Sequence, residues 1–399
     1  MRNKLGKNYK WLVLTGCALV LMCYFGVVNN LYSIYIIPVC DDLGFSRSAY
    51  TLIQSIYYAS VVVMSFFAAR IFERFGVLKS LKFSCITIMV FYCLNGFVSS
   101  LPLFYAIGII NGLMMGLNCV VPTTFLIKQW FSDNVGFAIG IAQAMSGIGG
   151  LIFNQIAKKI LLISSWRVLY ISMGLLMGIM GIFATFVLIK ENTDNVQNLD
   201  SETPKSSDSL PVKWSITVPI MLCLGLLTFS HNAVMYTAAP YVQDIGYDLV
   251  YAANVSSLLM GAFGIGKMLF GLLTDRFGII VMCVISGLCI CIGNAGMLLF
   301  PRFGGMMLIP MCLSVGLGSP FATVGVSVLP EISAKGFQKR ATSLYVAGVN
   351  LGTSTLPIVS SLIFDNIGTY HPLYMISIAA SALQLIVLTA VVYKSSKVA

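Results

Sequence analysis

What most constrains this 399-residue chain is a series of apolar runs, each about as long as a bilayer crossing requires. A hydrocarbon core of ~30 Å needs about 20 helical residues. Twelve stretches meet that length: 11–36, 50–69, 81–100, 103–126, 136–157, 167–189, 216–241, 251–273, 279–300, 305–329, 341–364 and 372–393. None shows the in–out alternation of a membrane barrel, so the backbone groups must be satisfied within helices. Only 10% of the residues are charged and 58% are hydrophobic, whereas soluble domains carry roughly 25% charge. The expected fold class is an all-α membrane protein whose solvent is the lipid bilayer.

The net charge of +10 could suggest a nucleic-acid partner, but its distribution argues against one. With the N-terminus placed inside, eighteen Lys and Arg residues fall at inner positions. Five fall outside: Arg47, Lys158, Lys159, Arg167 and Arg302. That bias puts both termini in the cytoplasm of a multi-pass protein of the cell (inner) membrane. The basic start, "MRNKLGKNYK", precedes an apolar run without a small-residue cleavage site, and it reads as part of an uncleaved first helix. The eleven cysteines are scattered with no CxxC pair, and there are only two histidines, His231 and His371. No disulfide framework, metal site or cofactor is expected.

One sustained polar stretch, Glu191–Trp214, divides the spans six and six. Its Ser, Asn, Asp and Pro content suits a flexible linker. The expected organisation is a bundle over 1–190, a cytoplasmic linker over 191–214 and a second bundle over 215–399. The halves match at a gapless offset of 202: "ERFG" at Glu73 and "DRFG" at Asp275, Asn30 and Asn232, Pro38 and Pro240, Asp42 and Asp244, Gly44 and Gly246. Such self-similarity indicates duplication. Two six-helix repeats are an architecture of secondary transporters, whose sites lie near the bilayer midplane.

"GLLTDRFG" at 271–278 resembles the Gly-x-x-x-Asp-Arg-x-Gly loop of the major facilitator superfamily. "ARIFERFG" at 69–76 is a weaker copy, and "SWRVLY" at 165–170 resembles that superfamily's start to helix 6. Within it, "KQWFSDNVGFAIGIAQAMSGIGG" at 128–150 and "LGFSRS" at 43–48 resemble the oxalate/formate antiporter and monocarboxylate transporter branch. The resemblance implies twelve helices in two pseudo-symmetric bundles and a small organic anion as substrate. It also implies a gating role for Glu73, Arg74, Asp275 and Arg276, which can pair or cap helix ends at the cytoplasmic face. The alternative is a solvated loop pair worth ~0–1 kcal/mol.

Lys267 lies inside the eighth run, eight residues before Asp275. Eight residues rise about 12 Å along a helix, which sets the ammonium toward mid-membrane. A basic residue at that position is part of the resemblance, with Lys here where Arg is usual. It could attract a carboxylate, or its long stem could snorkel to the inner headgroups. The second basic residue of the oxalate-type pattern is missing, since 341–364 holds none, and no acid lies deep in any span. A single carboxylate therefore suits the chain better than two, and a carboxylate proton relay is not expected. His231 is a candidate proton carrier. Asn232 and Tyr236 share its helix at i, i+4, and Asn30, Tyr32, Asn118, Gln143 and Asn350 bring further polar groups to other spans. Each could line a cavity or serve as interhelical glue. The glycines Gly112/Gly116, Gly136/Gly140, Gly261, Gly264 and Gly266 are expected to permit close helix packing.

The resulting reading is a non-enzymatic carrier, functional as a monomer. It moves a small organic anion, a monocarboxylate before a dicarboxylate, by anion exchange or proton symport. The alternative is an exporter of a neutral or amphipathic compound, with Lys267 structural. A membrane sensor or membrane-embedded enzyme fits poorly, because no nucleophile–base motif and no clustered ligands appear.

Overall fold

The computed structural model describes residues 2–118, 120–131, 135–192, 213–322, 329 and 338–398. Among these, every regular element is a helix. Eleven stretches are long and apolar enough to cross a membrane. One of them, Ile279–Gly318, contains the expected run 279–300 and the first part of the run 305–329. It bends at Gly304, whose φ of 55° ends the helix Ile279–Phe303. Beyond the bend Gly293 lies against Ser314, Gly296 against Pro310 and Ile290 against Gly318. Residues farther before the bend meet residues farther after it, so the two limbs are antiparallel. The last part of the expected run 305–329 falls largely outside the described residues.

Large apolar side chains such as Phe66, Ile163, Ile179, Ile309 and Ile386 are exposed on these helices. In water so much apolar surface would drive aggregation, and a lipid surround removes that penalty. The interior also holds polar groups: Asn111, Asn118, Asn154, Asn294 and Gln384 are all buried.

The chain forms two compact units. Unit 1 comprises Met1–Phe45 and Ile56–Pro204; unit 2 comprises Ser46–Ser55 and Lys205–Ala399. The boundary at Pro204 falls within the polar stretch 191–214, most of which lies outside the described residues. Residues 46–55 join unit 2, although the sequence division places them in the first bundle.

In unit 1 the first span has three parts: an α-helix over Arg2–Val20, a π-helical segment over Leu21–Asn29 and an α-helix over Tyr32–Leu43. A side chain on Gly149 would strike the Met22 carbonyl, and one on Gly26 would strike Gly149, so this span packs tightly on the helix Val135–Ile163. In unit 2 the helix Trp214–Asp244 makes the same approach to the helix Gln338–Ile367. There Gly348 lies against the Met221 carbonyl and Gly225 against Gly348. These three glycine and methionine correspondences are each 199 residues apart, three short of the 202 that relates the Asn, Pro, Asp and loop motifs. The repeat slips register between Gly26 and Asn30, where the first span departs from α geometry.

The repeated loops keep their shape. Gly76 and Gly278 have φ of 86° and 79°, and each precedes the next helix directly. That backbone region admits Gly without strain and few other residues. The small-residue pattern is only partly used for packing. Gly112, Gly116 and Gly266 have no room for a side chain, but Gly136 and Gly140 face open space. The expectation of close packing at that pair is corrected: among the described residues nothing lies within 4 Å of where their side chains would start.

Candidate functional site

Each unit carries its own set of the polar residues singled out by the sequence. In unit 2, Lys267 lies on the helix Leu249–Phe277 and is half-buried. Its Nζ is 4.0 Å from the centroid of the Phe263 ring. Phe263 is one turn farther from the DRFG loop than Lys267. The ammonium is therefore turned back toward the middle of the span and away from the loop end to which a snorkelling lysine would reach. Side chains on a helix lean toward its N-terminus, and the ring gives the charge a favourable face.

His231 lies on the helix Trp214–Asp244, which packs against the helix that carries Lys267. It is 6% exposed, and its Nδ1 has no hydrogen-bond partner among the described residues. A buried polar atom left unpaired is costly and calls for an explanation. Asn232, the next residue, donates from Nδ2 to Thr353 Oγ1 at 3.4 Å. Tyr236 is buried one turn on. Asn350 is half-buried on the helix that carries Thr353. Unit 2 thus holds a cation, an imidazole and amide and hydroxyl groups on three of its helices.

In unit 1 the candidates are more fully engaged. Asn30 ends the π-helical segment and donates from Nδ2 to the Ser146 backbone carbonyl at 2.9 Å, while its Oδ1 has no hydrogen-bond partner among the described residues. Gln143 lies one turn before Ser146, and its backbone carbonyl accepts from Ser146 Oγ at 2.7 Å. Tyr32 is buried. Asn118 is fully buried and donates from Nδ2 to Ser84 Oγ and Cys85 Sγ, both at 3.2 Å. Those two residues lie on the helix Val77–Leu94, so Asn118 acts as a strut within the bundle.

The loop residues proposed for gating sit at helix ends. Glu73 and Arg74 are exposed at the end of the helix Arg47–Phe75, and Arg276 is exposed at the end of Leu249–Phe277. The Asp275 side chain lies outside the described residues. The first turn of the helix Val77–Leu94 is capped from elsewhere: Glu191 Oε1 accepts from the Leu78 backbone N–H at 2.7 Å. A carboxylate there meets both an orphan donor and the positive end of the helix dipole. Its neighbours hold the chain in place, since Trp130 Nε1 donates to the Lys190 carbonyl at 2.8 Å and Asn192 pairs with Gln129. The sequence offered no spacing signal for this cap, because Glu191 is 113 residues from Leu78.

A groove of about 420 Å³ runs between the helix Leu249–Phe277 and residues 308–317. Its lining is aliphatic, including Leu258, Ile265, Leu269, Ile309 and Leu313. It offers nothing for a carboxylate and belongs with the lipid-facing surface.

The family model of the Major Facilitator Superfamily matches residues 17–328 and 221–398. Among curated relatives, an oxalate:formate antiporter of Oxalobacter formigenes is 26% identical over 285 residues, covering 69% of this chain and 65% of that protein. Monocarboxylate transporter 12 of Rattus norvegicus is 21% identical over 299 residues, covering 67% of this chain and 61% of that protein. The match thus spans less than two thirds of the length of either relative. Among solved structures, a nucleoside transporter mutant superposes with a TM-score of 0.78 at 12% identity, over 96% of this chain and 99% of that one. A D-xylose-proton symporter does so with a TM-score of 0.76 at 15% identity, over 96% and 97%. The family match covers nearly the whole chain, and these structures share its helical fold: the protein belongs to the major facilitator superfamily.

Proposed function

We propose that this transporter moves a small organic anion, a monocarboxylate, by alternately exposing a mid-membrane site to each side of the cell membrane. The observation that carries this reading is the placement of Lys267, whose ammonium turns back into the span and sits over the Phe263 ring at 4.0 Å. A cation in a site of low dielectric attracts an anion far more strongly than it would in water. One cation suits one carboxylate. In unit 2, His231, Asn232, Tyr236 and Asn350 supply hydrogen bonds and shape around Lys267; Asn30, Tyr32 and Gln143 are the polar groups that unit 1 offers to a substrate by itself. His231 is also the group through which a proton could be coupled; without it the same site would run as an anion exchanger. The loops at Glu73–Arg74 and Asp275–Arg276 act in state switching. Both termini and the stretch 191–214 face the cytoplasm, as the basic residues direct. The named substrates of the oxalate:formate antiporter and of monocarboxylate transporter 12 support an anion of this class.

The contact of Lys267 with its own helix's Phe263 favours one other reading, in which the ring holds the charge for structural reasons and the cargo is neutral. Uptake into proteoliposomes separates the two. Formate, acetate, lactate and oxalate are compared with the corresponding amides, with and without internal anion and a pH gradient. An anion carrier rejects the amides, whereas a carrier of neutral cargo tolerates them.

A further inference from the structure

The duplication gives each half an aspartate near the end of its first span, Asp42 and Asp244, two residues before a glycine of positive φ. Their partners differ. Asp42 Oδ2 accepts from Trp166 Nε1 at 3.0 Å and lies 3.6 Å from Arg167 Nη2. Both partners begin the helix Trp166–Phe183 of the same unit. At the corresponding start of His371–Val398, Tyr370 stands for Trp166 and His371 for Arg167, with Tyr374 for Tyr170. No arginine is available there, and His371 Nε2 is bonded to Tyr241 Oη at 3.0 Å.

Asp244 is satisfied by a residue the repeat does not provide. Arg47 donates from Nη1 to Asp244 Oδ2 at 2.7 Å and from Nη2 to Oδ1 at 2.6 Å, a two-pronged pair that only a planar guanidinium can form. Arg47 Nη1 also donates to Tyr370 Oη at 3.2 Å, and the guanidinium carbon is 3.8 Å from the Phe364 ring centroid. The next residue, Ser48, donates its backbone N–H to Asp365 Oδ2 at 2.8 Å. The side chains of Arg47 and Asp244 are 15% and 20% exposed, so water competes weakly. All of these contacts lie within unit 2, to which Ser46–Ser55 belongs.

We propose that Arg47 and Asp244, supported by Tyr370, Phe364 and Asp365, form a clamp that seats residues 46–55 in unit 2 and that must part once in each transport cycle. The proposal rests on the transporter reading for its second half only. The seat is a property of the folded chain. Its release is what a carrier needs, because residues 46–55 are continuous in the chain with unit 1 on both sides and the alternation of access moves the helix they begin, Arg47–Phe75.

Hydrogen–deuterium exchange on the full chain in lipid nanodiscs tests the seat without any substrate. In Asp244→Asn the peptide covering 46–55 should exchange about tenfold faster than in the wild type, while peptides from 140–160 and 220–240 keep their protection. Arg47→Lys keeps the charge without the fork and should be intermediate. The swap Arg47→Asp with Asp244→Arg should recover most of the protection, and Asp42→Asn should leave 46–55 slow. Unchanged exchange at 46–55 in both Asp244→Asn and Arg47→Lys would overturn the clamp; if Asp244→Asn loses protection throughout, Arg47→Lys decides. Release is tested by joining Arg47→Cys to Asp244→Cys with a reducible thiol crosslinker and measuring uptake of labelled formate, acetate or lactate. Uptake should stop when the two are linked and return on reduction, with each single cysteine as control. Normal uptake in the linked protein overturns the need for release. A wild-type protein that moves none of these acids overturns the anion reading, and the exchange result still decides the seat.

Discussion

Lys267 and Asn118 are both polar residues in apolar surroundings, and their contacts assign them different work. Asn118 spends its amide on Ser84 and Cys85 within unit 1 and is fully buried. Interhelical bonds of this kind are worth ~0.6 kcal/mol on average and up to ~1.7. Asn118→Ala should therefore lower stability by about 1–2 kcal/mol, seen as an earlier thermal transition in detergent, with transport per folded molecule retained. Unchanged stability together with lost transport would instead make Asn118 a contact of the cargo. Lys267 has its charge over Phe263. An ammonium is a point charge where guanidinium is a fork, so Lys267→Arg should keep partial activity with a raised half-saturation concentration. Full activity with a range of acid geometries would show that only the charge is used. The residue type of Lys267 and its eight-residue distance from Asp275 were legible in the sequence. The direction of its side chain was not, because a run of Gly, Met, Leu and Phe is compatible with either lean.

At the scale of elements, the sequence pattern marked the spans well, because about 20 apolar residues leave a helix few alternatives in lipid. It marked the internal geometry of the spans poorly. The π-helical segment Leu21–Asn29 carries no spacing signal, and the slip of the repeat from 199 to 202 is visible only once Gly149 and Gly348 are seen against Met22 and Met221. Glycine spacing alone also misled at Gly136 and Gly140, whose surroundings are open. Gly149→Ala and Gly348→Ala should each destabilise by about 1–3 kcal/mol, because the neighbour that must give way is a backbone carbonyl. Gly136→Ala should be close to neutral. Thermal unfolding of the three variants checks this, and equal effects at all three sites would contradict the packing described here. At the loop, Asp275→Asn should slow turnover more than it weakens equilibrium binding, because the residue sits at a helix end, eight residues from Lys267. A large loss of affinity at normal turnover would place Asp275 in the binding site instead.

For the whole molecule, the charge distribution predicts that a tag inserted within 191–214 is reached only from the cytoplasm, and labelling from outside intact cells would contradict it. Two-fold duplication, twelve runs and the superfamily loop made the fold readable from the chain. The pairing of Arg47 with Asp244 was not readable, because it departs from the symmetry that the repeat implies. The central claim is that the charge of Lys267 draws a single carboxylate into the site. The most direct measurement is uptake of the wild type's transported acid, and of its amide, by proteoliposomes containing wild type or Lys267→Gln, with folding confirmed by thermal transition. The wild type should take up the acid and discriminate sharply against the amide, and the folded Lys267→Gln variant should lose acid uptake. Acid uptake by Lys267→Gln near the wild-type rate would contradict the account and leave Lys267 a structural residue.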